Sequence, residues 1–329
     1  MRAVVITKPG GPEVLELREV PDPVPGKGEL LVRVEASALN RADLLQRRGL
    51  YPAPPGSPKD IPGLELAGTV VACGEGATRF APGDEVMAVV GGGACAELAV
   101  VHERETLSRP KGMPATVAAA IPEAFTTAFD AVVLQGGLAS GQWLAVDAVA
   151  SGVGTAAIQI AKAIGARSVG STRTEEKLER ALALGLDVGV HGVTSDLAKK
   201  AREVTGGAGV SVGLALVGGP ALADMIGALR PRGTAVLVGL MGGARTELNL
   251  VTVLQKRLHI VGTVLRSRPL EEKIAVARAF EDRMRPLFEG EAPLLRPVVD
   301  QVFPWDAVAD AHAALEENSS FGKIVVFHG

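Results

Sequence analysis

Trp143-Leu144-Ala145-Val146, then Ser151-Gly152-Val153-Gly154, then Thr155 to Ile164 (TAAIQIAKAI) is the stretch whose reading decides the fold. The first four residues read as a buried strand and the glycine pair as a turn. The last ten carry apolar side chains at helical spacing. A strand that enters a glycine turn and then a helix is the order a dinucleotide-binding unit needs. Glycines let the backbone approach a pyrophosphate, and the first free N–H groups of the helix hold its negative charge. The alternative is an ordinary strand–helix connection, since a glycine turn alone has little specificity.

Outward from this stretch the chain has two textures. Before it lie short strands with Pro/Gly punctuation: Leu30 to Val34, Leu66 to Val71, Glu85 to Val89 and Ala96 to Val101. Their spacing predicts a compact β-rich barrel. From about Val117 strands and helices alternate, with strands expected at 144–146, 168–170, 188–190, 212–217, 235–239 and 260–264. That is the doubly wound pattern, in which ligands bind beyond the carboxyl ends of the strands. After Pro269 follow a helix (LEEKIAVARAFEDRMRPLF), a strand at 298–302, a helix near Asp306–Glu316 and a strand at 323–327. This tail is expected to complete the first domain.

At 329 residues two domains are the natural expectation. The net charge of −3 comes with no basic stripe; Arg47-Arg48 and Lys199-Lys200 read as solvated helix faces. No nucleic-acid partner is therefore expected. Two cysteines, Cys73 and Cys95, cannot build a disulfide framework or a structural zinc site. The start MRAVVITKPGGPE reads as strand and turn without a leader's apolar core. Trp143 to Ala166, the most apolar long stretch, contains Asp147, Lys162 and several glycines, so no membrane span is expected. A reducing cytoplasm fits these features.

Across nearly its whole length the chain resembles a known family. ASALNRADLLQR from Ala36, IPGLELAG from Ile61, IPEAFTTAF from Ile121, SGVGTAAIQ from Ser151, GLMGG from Gly239 and FGKIV from Phe321 carry the likeness. Together they are similar to zinc-independent quinone oxidoreductases of the medium-chain dehydrogenase/reductase superfamily, in particular the tumour-suppressor-inducible quinone oxidoreductase subgroup. The resemblance implies an α/β architecture. A GroES-like β-rich catalytic domain would span residues 1–121 and 266–329, and a doubly wound parallel-sheet (Rossmann) domain residues 122–265. It further implies NADPH as cofactor, a small-molecule quinone or related electrophile as partner, and a homodimer formed near His259–Val264.

Against the zinc-dependent branch of that superfamily, Asn40 stands in place of a cysteine and Leu64 in place of the histidine of its Gly-His-Glu motif. The four-cysteine lobe is absent. A catalytic zinc needs about three His, Cys or carboxylate ligands; an amide and an isobutyl group do not supply them, and no metal is expected.

The resemblance places Asn40, Tyr51 and Thr127 beside the nicotinamide and the substrate. Asn40 also reads as a cap for the helix Ala42–Arg48. Tyr51, the only tyrosine, could instead pack on the prolines of its loop. Thr127 could bond a helix carbonyl. Ser151, Gly152, Val153 and Gly154 form the phosphate turn. The resemblance adds backbone groups at Leu240, Met241 and Leu265, together with Asn318, one of only three asparagines. Arg266 reads as a helix N-terminal residue facing water. Glu65 and Glu123 read as structural carboxylates satisfied by backbone amides.

Cofactor choice turns on the end of the second Rossmann strand, where NAD-specific proteins carry an acidic residue. Here the sequence is Gly170-Ser171-Thr172-Arg173, with no carboxylate. Ser171, Arg173 and Lys177 could receive a 2′-phosphate; a Thr172/Glu175 capping box is the alternative. Four residues depart from the family pattern: Asp147, Val149, Gly192 and Ala215. Val149 stands where a glycine or alanine is expected, and a β-branched residue does not comfortably take a positive φ. The reading is an NADPH:quinone reductase. The alternatives are an NADPH-dependent reductase of α,β-unsaturated carbonyls and a nucleotide-binding protein with little turnover.

Overall fold

The chain enters on an antiparallel hairpin, β1 (Arg2–Ile6) and β2 (Leu15–Glu19). The computed structural model describes residues 1–329 and resolves them into two units. Met1–Thr126, Leu265–Pro293 and Pro297–Gly329 form one; Thr127–Val264 and Leu294–Arg296 form the other.

The first unit continues with β3 (Glu29–Ala38), α1 (Arg41–Arg47), β4 (Glu65–Cys73), β5 (Glu85–Val89), β6 (Leu98–His102) and β7 (Leu107–Ser108). The short α2 (Ala115–Ala118) and the start of α3 (Pro122–Phe129) follow. Along β3 every second residue from Leu30 to Ala36 is buried, the period of a strand with one face on a core. Leu30, Val32 and Val34 pack with Leu66, Val70, Val86, Ala88, Ala99 and Val101. α3 runs on into a π-helical turn over Asp130–Gln135. The combined stretch Ala115–Gln135 is long and apolar enough to cross a membrane by length and composition, but most of it is buried as a core helix.

The second unit is a six-stranded, wholly parallel sheet. Its elements are β8 (Trp143–Val146), α4 (Gly152–Ala163), β9 (Arg167–Thr172), α5 (Glu175–Leu184), β10 (Val188–His191) and α6 (Thr194–Val204). β11 (Val210–Ala215), α7 (Pro220–Ala228), β12 (Leu229–Leu237), α8 (Leu250–Lys256) and β13 (His259–Gly262) complete it. The strand order is β10-β9-β8-β11-β12-β13. The order reverses between β8 and β11, which places the ligand crevice of such a sheet outside their carboxyl ends. Ala145, Val169, Val210, Met225, Leu229 and Ala235 form the core beneath it.

The chain then returns to the first unit through α9 (Leu270–Arg283), β14 (Val299–Pro304), α10 (Val308–Glu316) and β15 (Lys323–Phe327). β15 pairs with β14 in parallel and with β3 antiparallel, giving a seven-stranded sheet. The strands expected as a barrel thus include two tail strands, with β6 and β15 both paired to β3. Phe288 packs edge-on to Phe125 with ring centroids 4.9 Å apart, an aromatic contact that ties the tail to α3. The stretch Leu294–Arg296 belongs to the second unit: Gln159 bonds both the amide and the carbonyl of Arg296.

Candidate active site

In the second unit, β8 delivers the chain to a turn whose strain sits at one residue. Ala148 has φ +50°, while Val149 keeps a negative φ and is fully buried, its N–H donating to the Ser171 carbonyl at 3.0 Å. The β-branched residue therefore escapes the conformation expected to trouble it. Ser151 caps α4, accepting from the Gly154 amide at 3.1 Å. A Cβ at Gly154 would lie 2.6 Å from the Ala148 carbonyl oxygen and 2.7 Å from that of Val149. Only glycine lets α4 start this close to the turn. The amides of Gly152 and Val153 remain at the helix N-terminus as donors for an anion.

Asp147 does not aim its charge at this anion site. It is buried, and its carboxylate accepts the amides of Leu216 at 2.6 Å and Val217 at 3.4 Å. Burial pushes its pKa up to about 6 against the pull of those two donors. The strand expected to reach residue 217 ends at Ala215 for the same reason: Asp147 takes the next two amides.

At the end of β9, Ser171 and Thr172 are buried and Arg173 is exposed, with Lys177 half-buried one turn into α5. Thr174 is the N-cap of α5, and no Thr172/Glu175 capping box forms. Glu175 instead reaches His191 Nδ1 at 3.3 Å, and His191 Nε2 lies 3.0 Å from the Arg173 carbonyl. Leu240 and Met241 are exposed beyond β12. A pocket of about 370 Å³ opens there between the ends of β12 and β13, lined by Leu237, Val238, Leu240 and 262–264. Thr127 also lies in this unit, buried on α3.

The first unit holds Asn40, Tyr51, Leu265 and Asn318. Asn40 is the N-cap of α1 by backbone only: its N–H donates to Asp43 Oδ2 at 2.8 Å. Its side chain does not cap. Nδ2 donates to Glu65 Oε1 at 2.9 Å and to the Ala38 carbonyl at 3.2 Å, and Oδ1 accepts from Lys323 Nζ at 2.6 Å. Lys323 Nζ also reaches the Leu39 carbonyl at 2.6 Å and Glu65 Oε1 at 2.7 Å. Glu65 accepts the Glu123 amide on its other oxygen at 2.8 Å. Asp43 is fully buried and holds the Gly63 amide at 2.9 Å; burial lifts its pKa to about 6.

Arg266 does not face water. It is buried, donating to the Gly91 carbonyl at 2.8 Å, to Gln46 Oε1 at 2.5 Å and to the Tyr51 carbonyl at 3.4 Å. Its guanidinium carbon lies 4.9 Å from the centre of the Tyr51 ring. Burial raises the Tyr51 pKa, and the guanidinium opposes that rise. Arg266 and Lys323 are the site residues that sequence reasoning missed. A cation in an apolar run such as 321–327 is the one signal for Lys323, since a buried lysine needs partners. Asn318 adopts φ +57° after α10; its Oδ1 accepts from Arg41 and its Nδ2 bonds the Glu316 carbonyl at 3.0 Å. These contacts hold the turn after α10, where asparagine tolerates the left-handed region.

A zinc ion does not suit this donor set. Leu64 is buried and apolar, the Asn40 amide is committed to Lys323 and Glu65, and no group of three His, Cys, Asp or Glu side chains stands together. The α4 turn, by contrast, suits a dinucleotide phosphate: two open amides, a glycine forced by close approach, and the one nearby carboxylate turned away.

Residues 26–122 match the family described as "Alcohol dehydrogenase GroES-like domain" and residues 152–281 match "Zinc-binding dehydrogenase". The chain is 32% identical to the quinone oxidoreductase of Lama guanicoe, over 99% of this chain and 97% of that one. Among solved structures, an NAD-dependent alcohol dehydrogenase superposes with TM-score 0.84 at 34% identity, covering 100% of both chains. A mycobacterial protein solved as its NADPH complex gives 0.85 at 28%, again covering 100% of both. With this fold, this turn and these relatives, the chain belongs to the quinone oxidoreductase family of the medium-chain dehydrogenase/reductase superfamily and is an oxidoreductase.

Proposed function

We propose that the chain is a zinc-independent, NADPH-dependent quinone oxidoreductase. The observation that carries this reading is the end of β9, where Gly170-Ser171-Thr172-Arg173 offers hydroxyls and a guanidinium but no carboxylate. A 2′-phosphate would meet no repulsion there, and Arg173 and Lys177 bring positive charge. The NADPH complex of the mycobacterial relative supports the same choice; the NAD-dependent relative makes it worth measuring. The cofactor residues are Ser151, Gly152, Val153, Gly154, Ser171, Arg173, Lys177, Leu240, Met241, Leu265 and Asn318. The quinone residues are Asn40, Tyr51 and Thr127.

When bound, NADPH supplies the reducing equivalents for the quinone. The protein's own task is to hold the reactants in place and shed water around them. Gly152 and Val153 would donate amides to the pyrophosphate, and the Tyr51 ring, braced by Arg266, would give a flat apolar wall for a quinone. Reduction to hydroquinone takes two electrons and two protons. NADPH accounts for the two electrons and one of the protons; no side chain here is placed as a dedicated acid, so the second proton comes from solvent.

We also propose a homodimer through β13. That strand is an edge of the parallel sheet, with Ile260 and nearby Val264 exposed, and Leu250, Val251 and Leu254 of α8 are exposed as well. An uncovered apolar edge invites pairing.

The test is steady-state turnover of 1,4-benzoquinone and 1,4-naphthoquinone with NADPH and with NADH, beside an α,β-unsaturated aldehyde. The reading expects quinone turnover with NADPH preferred. Faster turnover of the aldehyde would move the assignment to alkenal reduction on the same fold.

A further inference from the structure

The polar groups around Asn40 fix which end of its amide points which way. Lys323 is an ammonium with three donors and no acceptor. All three are spent, on the Leu39 carbonyl, Asn40 Oδ1 and Glu65 Oε1. Glu65 is fully buried and can only accept. Turning the Asn40 amide over would set its NH2 against the ammonium and its oxygen against the carboxylate. An amide orientation is ordinarily an assignment made from the surrounding network; here the network permits one choice.

With that choice, both Nδ2 hydrogens are used, on Glu65 and on the Ala38 carbonyl. Oδ1 has one lone pair engaged by Lys323 and one left over. Lys323 and Glu65 are buried, whereas Asn40 is the partly exposed member of the trio. The group therefore presents a single unused valence to the outside, and it is an acceptor.

We infer that Lys323 and Glu65 are positioning residues that lock Asn40 as a hydrogen-bond acceptor, so that the ligand group it meets is an O–H or N–H and not a carbonyl oxygen. This rests on the assignment of Asn40 to the quinone site. Asn40 then favours the hydroquinone product, which carries donors, over the quinone, which carries none.

Two measurements test this, one without any ligand. The chain has three asparagines, Asn40, Asn249 and Asn318, so ¹⁵N-asparagine labelling gives three side-chain amide pairs, assigned with an Asn40→Ser variant. The Asn40 pair should exchange with solvent at least about tenfold more slowly than that of Asn249, having both hydrogens on internal acceptors. Lys323→Met should abolish the difference and Lys323→Arg should keep much of it. Where Lys323→Met fails to fold, the Lys323→Met/Glu65→Gln pair, which leaves no lone buried charge, serves instead.

The second measurement is inhibition of the wild-type enzyme by hydroquinone and by its dimethyl ether, which lacks the donors. Hydroquinone should bind about tenfold better, and Lys323→Met should bring that preference close to one. Fast exchange of the Asn40 pair in the wild type, or equal inhibition by the two compounds, would overturn the proposal. Slow exchange in a protein that turns over no quinone would leave the lock standing and remove the quinone reading instead.

Discussion

Asp147 is a buried carboxylate that accepts two backbone amides, and its titration should be readable in stability. Its pKa is about 6 in the folded protein against 3.8 for an unperturbed aspartate. For an acid raised on folding, the stabilising contribution is complete below the unfolded value and is lost as pH rises through the folded one. Asp147→Asn keeps an acceptor for the Leu216 amide and cannot ionise. Relative to wild type, the variant should therefore gain about 2 kcal/mol between pH 4 and pH 7, measured by urea unfolding at each pH. A difference that stays flat across that range would mean that the carboxylate is not held as described. Arg266→Met removes three donated bonds and the guanidinium under the Tyr51 ring. It should cost about 2–3 kcal/mol by thermal unfolding. It should also lower kcat/KM for quinone while leaving the NADPH Kd unchanged, since its contacts are with Gln46, Tyr51 and Gly91. Neither residue's environment was legible in the sequence. Asp147 reads as a charge aimed at phosphates until the neighbouring β11 shows where its amides lie. Arg266 reads as solvated because its three acceptors are 46, 51 and 91, all far away along the chain.

The element that matters most is the β8–α4 junction. Its strand, turn and helix could be read from Trp143 to Ile164 because each obeys a local rule: apolar run, glycine pair, period of 3.6. The edges of elements were less legible. β11 stops at Ala215 because Asp147 captures the following amides, a contact 69 residues apart in sequence. Gly154→Ala tests the junction. Its methyl would meet two carbonyl oxygens of a turn that cannot retreat, so α4 must shift. The variant should lose about 1–3 kcal/mol of stability and at least about tenfold in dinucleotide affinity, read by melting and by calorimetric titration of the same preparation. Unchanged affinity would separate the glycine from the phosphate site. Ser151→Ala removes the cap to the Gly154 amide and should cost about 1 kcal/mol of stability.

At the scale of the whole molecule, the two textures of the sequence correspond to the two units. What could not be read is how the tail rejoins the first unit: β15 becomes a central partner of β3, carrying Lys323 to Asn40 across 283 residues. Long-range pairing of that kind leaves no local period to detect. The dimer proposed through β13 predicts that light scattering reports twice the chain mass over a wide concentration range, and that Ile260→Asp returns the monomer. A monomer throughout in the wild type would remove it.

The most direct test of the central claim is calorimetric titration of the purified protein with NADPH and NADH in parallel. The account predicts NADPH binding at least about tenfold tighter than NADH, from Ser171, Arg173 and Lys177. Equal affinities would contradict the 2′-phosphate reading of the β9 end, and no binding of either would contradict the nucleotide site at α4 itself.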